Sequence, residues 1–183
     1  MRRTAAALLV LLVLAPVVTL GFAHWRTVRY DSLIRKHCTR YKLSFHLVKA
    51  LVHEESRFDA EARGKKGELG LMQIKPAVGA EFWERQGKRT LYDPAMLLQP
   101  EHNIEVGCWY LRDSLDMYRH LPDPRPYGLA RYNAGHTRVA RWISATSAHP
   151  QSNFLDNVDF PRTREYIVRV IDRANRRSQN YLW

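Results

Sequence analysis

Apolar residues recur at helical spacing along most of the chain after residue 23, whereas few segments alternate between polar and apolar positions as a half-buried strand would. The best-defined pattern covers residues 44–56, where Ser44 is suited to cap the start of a helix. Further helices are predicted over residues 30–41, 76–86, 100–118, 125–133, 136–145 and 161–177. The fold class is therefore mainly α, with at most a small β-hairpin within residues 60–75.

Two adjacent glutamates, Glu54 and Glu55, stand near the end of the helix predicted over residues 44–56. Glu55 follows Val52 by three positions and Val48 by seven, so it points from the middle of the apolar face. Burial there would raise the pKa of its carboxyl, and a carboxylic acid that stays protonated near neutral pH can act as a general acid. The alternative is a helix-terminal carboxylate paired with a nearby arginine.

Glu54 lies about 100° away around the same helix, towards the edge of the apolar face. It is expected to be solvated or paired in a salt bridge. The side of this helix that faces solvent is predicted to carry Lys49, His46 and His53.

The first 23 residues have the pattern of an export signal. Arg2 and Arg3 precede an uncharged apolar stretch, residues 5–23, which ends in the small-x-small triplet Gly21-Phe22-Ala23. This stretch fits a cleaved signal peptide, but it is also long enough to span a bilayer as an N-terminal anchor. Both alternatives stay open, and both predict export. Residues 24–29 are then a linker, and residues 30–179 form one domain.

Composition narrows the range of partners. The chain has 183 residues, of which 45% are hydrophobic, and a formal net charge of +11. Such a charge favours a polyanionic partner, namely nucleic acid, an acidic membrane surface or an anionic wall polymer, although a basic domain can also lack one. No helix-turn-helix, zinc-finger or RNA-binding signature is present, so a nucleic-acid partner is not expected.

The two cysteines, Cys38 and Cys108, leave two alternatives open. An exported protein can join them in a disulfide, or they can be buried thiols that behave as small hydrophobic residues. There is no CxxC pair and no Cys/His cluster with metal-ligand spacing, and residue 57 is an arginine, which excludes an HExxH motif. No metal and no cofactor is therefore predicted.

Three short motifs resemble those of one enzyme family. They are "ESRF" at 55–58, "GELGLMQIKP" at 67–76 and "ARYNAG" at 130–135, and they follow one another in the order and spacing of the family. The segments "NIEVGCWYL" at 103–111 and "FPRTREYIVRV" at 160–170 resemble later parts of the same pattern. The family is that of the lytic transglycosylases of the soluble-lytic-transglycosylase (SLT) type, relatives of goose-type lysozyme.

This resemblance implies a lysozyme-like helical fold and an enzyme that cleaves the β-1,4 bond between N-acetylmuramic acid and N-acetylglucosamine in peptidoglycan. The product would carry a 1,6-anhydromuramic end, and one glutamate would serve first as acid and then as base. Glu55 takes that role. The resemblance implies substrate-binding or supporting roles for six further residues, which are Ser56, Met72, Gln73, Tyr132, Asn133 and Tyr166.

Two positions depart from the family pattern. Gly64 stands where the family often has a serine, and Glu68 stands where it often has an alanine. The missing hydroxyl removes one expected sugar contact. Glu68 is expected to pair with Lys65, Lys66 or an arginine, but it could instead supply a second carboxyl and allow hydrolysis.

Two other functions remain as alternatives. A goose-type muramidase would hydrolyse the same bond, and a non-catalytic module would only bind peptidoglycan, for instance within a secretion apparatus. The expected partners are peptidoglycan glycan strands, with secretion or cell-wall machinery and a membrane contact through the N-terminus as further candidates. The expected location is the periplasm, with residues 5–23 as an inner-membrane anchor in one of the two alternatives.

Overall fold

The computed structural model describes residues 18–22, 24–148 and 152–180. Seven helices follow one another from residue 31 onwards, and we number them in chain order: α1 (Asp31–Tyr41), α2 (Phe45–Ser56), α3 (Pro76–Arg85), α4 (Pro100–Asp116), α5 (Arg125–Ala134), α6 (His136–Ala148) and α7 (Pro161–Asn180). Three short 3-10 helices lie between them, at Arg89–Leu91, Pro94–Leu98 and Phe154–Asn157. The prediction of a mainly α fold is confirmed.

Helix starts coincide with the signals in the sequence. Ser44 caps α2, where its Oγ accepts a hydrogen bond from the backbone N–H of Leu47 at 3.4 Å. Proline occupies the first position of α3, α4 and α7, where its missing N–H leaves no hydrogen bond unmade. These signals account for the close agreement between predicted and observed helix starts.

Helix α2 lies at the centre of the molecule. It packs against α7 on one side and α1 on the other, while α4 packs against α1 and α5. Val48, Leu51 and Val52 of α2 are completely buried, as are Ile104 and Leu111 of α4. The central position of α2 matters for function because its last turn carries both glutamates.

The prediction that Lys49 lies on the solvent-facing side of α2 is wrong. This side chain is completely buried, and its Nζ lies 2.7 Å from Oδ1 and 2.9 Å from Oδ2 of Asp31 in α1. Helix α1 covers the side of α2 that periodicity alone assigned to water. The burial of the ammonium group is offset by this close ion pair.

Residues 57–75 form the loop that carries two of the motifs. Two isolated antiparallel bridges occur there, Arg63 with Leu69 and Leu69 with Ile74, and no regular strand forms within the described residues. The predicted small hairpin is thus reduced to these bridges.

The segment before α1, which the sequence predicts to be a linker, is in contact with the domain. Residues 24–28 are helical, and two arginines tie the segment to the domain. Arg26 donates a hydrogen bond to the carbonyl oxygen of Arg57, and Arg29 donates one to that of Phe58, each at 3.0 Å. Of the N-terminal signal or anchor, residues 1–17 and 23 lie outside the described residues. In the part of the chain that the structure describes, no helix is long and apolar enough to cross a membrane.

Cys38 in α1 and Cys108 in α4 are both buried and carry free thiols. A hydrogen bond with Cys38, together with burial, raises the pKa of the Cys108 thiol well above its usual range. The two side chains therefore behave as buried thiols here, which was one of the two alternatives.

Candidate active site

Glu55 occupies the last turn of α2 and faces the wall of a cleft. Burial is the main reason that the pKa of its carboxyl rises from the ordinary 4.5 to about 7. Tyr166 of α7 donates a hydrogen bond of 2.6 Å to Oε1 of Glu55, and this bond partly opposes the rise. Glu54 and Glu68 contribute to the rise through their negative charges. Near neutral pH, Glu55 is therefore poised between its acid and its base form.

Glu54 has a different environment although it is the neighbouring residue. Arg169 of α7 approaches its Oε1 with Nη2 at 2.7 Å and Nε at 2.8 Å. Arg169 is half exposed and also reaches the exposed Glu165, whereas the Glu54 side chain is only 16% exposed. The expectation that Glu54 is paired in a salt bridge is confirmed.

The loop that faces Glu55 is organised by Asn103 of α4, which is completely buried. Its Oδ1 accepts a hydrogen bond from the backbone N–H of Met72 at 2.7 Å. Its Nδ2 donates to the carbonyl oxygens of Leu69 at 2.8 Å and Leu97 at 2.7 Å. Gly70 lies against this amide with a φ of +72°, and a Cβ there would overlap with Nδ2 of Asn103. One amide thus fixes three backbone groups around the second motif.

Ser56 and Met72 support the site from behind and do not line the cleft. Ser56 Oγ donates a hydrogen bond of 2.8 Å to the carbonyl oxygen of Leu71, which ties the end of α2 to the loop. The side chain of Met72 is completely buried against Gly107, where a Cβ would overlap with its sulfur atom. The Met72 side chain is therefore part of the core and takes a supporting role, since it does not line the cleft.

Tyr132 of α5 lines the cleft, and its hydroxyl group bonds to the loop and not to Glu55. It donates a hydrogen bond of 2.8 Å to the carbonyl oxygen of Met72, and Tyr166 makes the bond to Glu55 instead. The ring centroid of Tyr110 lies 5.1 Å from that of Tyr132, so two aromatic rings stand together in the wall of the cleft.

Gln73 points its amide into the loop. Its Nε2 donates to the carbonyl oxygens of Gly70 at 2.9 Å and Ala62 at 3.2 Å. Its backbone has a φ of 48°, an uncommon value for a residue other than glycine. Gln73 also lines the cleft. Because both amide hydrogens serve the loop, its Oε1 is the group left for a ligand.

Glu68 lies in the same cleft as Glu55. Its Oε2 accepts a hydrogen bond of 2.9 Å from the backbone N–H of Lys66. The expected ion pair is not formed, since no lysine or arginine side chain of the described residues pairs with it. A Cβ on Gly64 would overlap with Oε2 of Glu68 and lie 2.7 Å from Oε1 of Gln73. The two departures from the family pattern are thus linked, because Glu68 fills the space that a serine at residue 64 would need.

The cleft has a volume of about 170 Å³. Its polar lining comes from Glu55, Glu68, Gln73, Lys75 and Asn133, and its aromatic lining from Tyr110 and Tyr132. Asn133 is exposed, and its Oδ1 accepts a hydrogen bond of 2.9 Å from Thr163 of α7. Tyr166 is buried behind Glu55.

The seven residues expected at the site fall into two groups. Four of them line the cleft, namely Glu55, Gln73, Tyr132 and Asn133. The other three hold those residues or their loops in place, namely Ser56, Met72 and Tyr166.

Two features of the site were not predicted from the sequence: Tyr110 as a cleft-lining residue and Asn103 as the residue that organises the loop. The signal was present, because Asn103, Gly107 and Tyr110 follow one another at the i, i+4 and i+7 spacing of one helix face. All three contact the loop or the cleft: Asn103 and Gly107 face the Met72 segment, and Tyr110 faces Tyr132.

A desolvated glutamate in a polar and aromatic cleft is suited to cleave a glycosidic bond by general acid catalysis. Comparison with known proteins identifies a family of such enzymes. Residues 32–155 match the family model of the transglycosylase SLT domain. The chain therefore belongs to the SLT transglycosylase family.

Three relatives illustrate the similarity. The soluble lytic murein transglycosylase of Escherichia coli K12 is 27% identical over 143 residues, which are 78% of this chain and 22% of that protein. The membrane-bound lytic murein transglycosylase C of Haemophilus ducreyi is 29% identical over 166 residues, 86% of this chain and 43% of that protein.

The crystal structure of the 70 kDa soluble lytic transglycosylase of Escherichia coli superposes with a TM-score of 0.70 at 26% identity, covering 79% of this chain and 23% of that one. The chain spans less than half of the length of each of these relatives.

Proposed function

We propose that this protein is an exported peptidoglycan lytic transglycosylase. It cleaves the β-1,4 bond between N-acetylmuramic acid and N-acetylglucosamine and leaves a 1,6-anhydromuramic end. The observation that carries the proposal is the environment of Glu55. Its carboxyl has a pKa raised to about 7, lines the cleft and accepts a hydrogen bond from Tyr166. Membership of the SLT family supplies the substrate class.

In the first step, protonated Glu55 donates its proton to the glycosidic oxygen. The bond between that oxygen and the anomeric carbon of the muramic residue breaks, and the N-acetylglucosamine side leaves as an alcohol. A general acid with a pKa near the working pH is suited to this transfer, because it is protonated often enough and releases its proton readily. The positive charge that develops at the anomeric carbon is met by the carbonyl oxygen of the muramic residue's own acetamido group.

In the second step, the carboxylate of Glu55 removes the proton from the C6 hydroxyl of the same muramic residue. The C6 oxygen attacks the anomeric carbon, which closes the anhydro ring and returns Glu55 to its protonated form. No atom of water enters the product. One carboxyl therefore suffices, whereas glycoside hydrolysis normally uses two. The hydrogen bond from Tyr166 stabilises the carboxylate between the two steps.

The other cleft residues are assigned to substrate binding. Oε1 of Gln73 accepts a hydrogen bond from an acetamido N–H, because its own amide hydrogens are held by the loop. The rings of Tyr132 and Tyr110 offer flat apolar surfaces to the sugar. Asn133 supplies a polar contact at the exposed edge of the cleft. Ser56, Met72 and Tyr166 are positioning residues.

Hydrolysis of the same bond is a second candidate, and Glu68 is the observation that favours it. Its carboxylate lines the cleft together with Glu55 and has no cationic partner among the described side chains. A second carboxylate can activate a water molecule. We assign the anhydro route as the main one because the family pattern around Glu55 is intact.

The cellular setting follows from the N-terminal pattern and the substrate. Peptidoglycan lies outside the inner membrane, and residues 1–23 have the pattern of an export signal or anchor. The protein therefore acts in the periplasm on glycan strands. A membrane contact through the N-terminus and an association with secretion or cell-wall machinery are further candidate interactions. A relative of this family is named as membrane-bound.

Release of soluble fragments from purified sacculi tests the proposal. The wild-type protein is expected to solubilise sacculi, and Glu55→Gln to bind them without release. Glu54→Gln should retain most of the wild-type activity, because Glu54 pairs with Arg169 and does not line the cleft. Binding without release by the wild-type protein would identify a non-catalytic peptidoglycan-binding module and contradict the proposal.

A further inference from the structure

Helix α2 ends in a turn whose backbone is strained at two successive residues. Arg57 and Phe58 have φ values of 52° and 64°, so both lie in the left-handed region, which is unfavourable for any residue other than glycine. Such a conformation persists only where the surrounding structure holds it. The turn begins two residues after Glu55, so a relaxation of its backbone would move the last turn of α2 and the Glu55 carboxyl with it.

Two arginines from the segment before α1 hold the carbonyl groups of this turn. Arg26 Nη2 donates a hydrogen bond to the carbonyl oxygen of Arg57, and Arg29 Nη2 donates one to that of Phe58, each at 3.0 Å. Both carbonyl groups lie beyond the end of α2, where no helical N–H follows to pair with them. Two guanidinium groups at this place also match the negative end of the helix dipole. We call these two contacts the arginine clamp.

The arginine clamp is itself held in place by its neighbours in sequence. The guanidinium of Arg29 lies 4.7 Å from the ring centroid of Trp25 and 4.6 Å from that of Tyr30, so it contacts two aromatic rings at once. The next residue, Asp31, forms the ion pair with the buried Lys49 of α2. The segment is therefore attached to α2 both at the end of the helix and at its middle.

The other side of the turn is fixed by the domain. The Phe58 side chain is completely buried, and Ser56 Oγ donates its hydrogen bond to the carbonyl oxygen of Leu71. The arginine clamp adds a restraint on the carbonyl side of the turn, and this restraint comes from residues that precede the domain predicted from the sequence.

We propose that Arg26 and Arg29 are positioning residues of the active site, which hold the turn after Glu55 and so keep its carboxyl in place and shielded from water. The inference rests on the proposed function, since it concerns the same glutamate. Neither arginine lines the cleft, so both act through the backbone of the turn. Both follow the triplet Gly21-Phe22-Ala23, so cleavage at that triplet would leave the clamp on the mature chain.

Two measurements on the full-length protein test this inference. The pKa of Glu55 is measured from the carbon-13 shift of its carboxyl, which is assigned by its loss in Glu55→Gln. The initial rate of fragment release is measured between pH 5 and 9. The clamp variant is Arg26→Gln/Arg29→Gln, because glutamine ends two bonds short of the guanidinium nitrogens. The matched control is Arg119→Gln/Arg176→Gln, which removes two exposed charges elsewhere in the chain. Each single replacement is measured as well, so that the pKa can be followed in a variant that folds.

Without the clamp, water is expected to reach the Glu55 carboxyl. Its pKa should fall from about 7 towards 4.5, by about one unit or more, because burial is the main cause of its rise. The groups that face the carboxyl are unchanged in the variant, and they are Tyr166, Tyr132, Glu54 and Glu68. The rate at neutral pH should fall roughly tenfold or more, and the alkaline limb of the pH profile should move to lower pH.

Three further results decide the inference. Arg26→Lys/Arg29→Lys restores the charge and N–H donors and should recover most of the lost rate, and the control should match the wild type. An unchanged pKa of Glu55 in the folded clamp variant, or an equal loss of rate in the control, would overturn the inference. If the wild-type protein releases no fragments, the proposed activity fails, whereas the pKa of Glu55 still decides the role of the clamp.

Discussion

The Tyr166 hydroxyl donates a hydrogen bond of 2.6 Å to Oε1 of Glu55 across 111 positions of sequence. Burial and the neighbouring Glu55 carboxyl raise the pKa of Tyr166 well above its usual range, so the phenol stays a hydrogen-bond donor at every working pH. This contact joins the last turn of α2 to α7. It fixes the direction of the carboxyl and lowers the free energy of its charged form.

Replacing Tyr166 by phenylalanine should change both the rate and the pH profile. In the wild type, activity should fall as pH rises through about 7, because Glu55 must be protonated to act as the acid. Loss of the hydroxyl removes a donor that stabilises the carboxylate, so the pKa of Glu55 rises and the alkaline limb moves to higher pH. The rate below the limb should drop roughly tenfold or more, since hydrogen bonds to charged groups contribute about 1.5–3 kcal/mol.

The initial rate of fragment release between pH 5 and 9 measures this effect. A merely structural role for Tyr166 would lower the rate and leave the limb where it is. A limb that moves to lower pH in Tyr166→Phe would contradict the assigned contact.

Glu55→Gln should stabilise the fold at alkaline pH. The native pKa of Glu55 is raised from 4.5 to about 7, so the native state holds its proton more tightly than the unfolded state does. The contribution of the protonated Glu55 carboxyl to the free energy of unfolding is fully present below pH 4.5. It is lost progressively as pH rises through 7, because the native state must then hold a buried charge. Above pH 7, the charged wild type is therefore destabilised by about 3 kcal/mol relative to a neutral side chain.

Denaturant unfolding at pH 5 and pH 8 tests this linkage. The gain in free energy of unfolding for Glu55→Gln over wild type should be larger at pH 8. Glu54→Gln should instead lose stability at pH 8, because it removes the ion pair with Arg169. The same difference at both pH values would show that the carboxyl of Glu55 is not perturbed.

Gly64 and Glu68 should behave as a coupled pair. Gly64→Ser alone introduces a Cβ that overlaps with Oε2 of Glu68 and crowds Oε1 of Gln73, so activity should fall. Glu68→Ala removes the obstacle, and the double variant Gly64→Ser/Glu68→Ala should recover much of the lost activity. Simple addition of the two single effects would show that the residues are independent.

The buried ion pair between Asp31 and Lys49 should dominate the stability of the α1–α2 contact. Asp31→Ala leaves a completely buried ammonium group without its carboxylate and should lower the free energy of unfolding by about 3–5 kcal/mol. Lys49→Met replaces the charge with an apolar chain of similar length and should cost much less. If the two variants unfold at the same denaturant concentration, the ammonium group of Lys49 does not depend on Asp31.

The helices and the burial of the Glu55 carboxyl could be predicted from the sequence, because both depend on local spacing. Ser44, the proline starts and the seven-residue step from Val48 to Glu55 are all signals within one helix. The partner of Glu55 could not be derived this way. Tyr166 lies 111 residues away, and only the packing of α7 on α2 brings it to the carboxyl.

The error at Lys49 and the open role of Met72 have the same origin. Lys49 looked solvent-facing because periodicity describes one helix at a time, and Asp31 belongs to another. The sequence left Met72 with either a substrate-binding or a supporting role, and only the close approach allowed by Gly107 shows that its side chain packs in the core. Both arise where a second element covers a face that the sequence leaves open.

Mass spectrometry of the glycan ends released from sacculi is the most direct test of the single-glutamate mechanism. The wild-type protein should produce muramic ends that are lighter by one water molecule than hydrolysed ends, Glu54→Gln should produce the same ends, and Glu55→Gln should release none. In Glu68→Ala the ends should remain anhydro. A wild-type protein that releases mainly hydrolysed, reducing ends, and loses them in Glu68→Ala, would contradict the mechanism and identify a two-carboxylate muramidase.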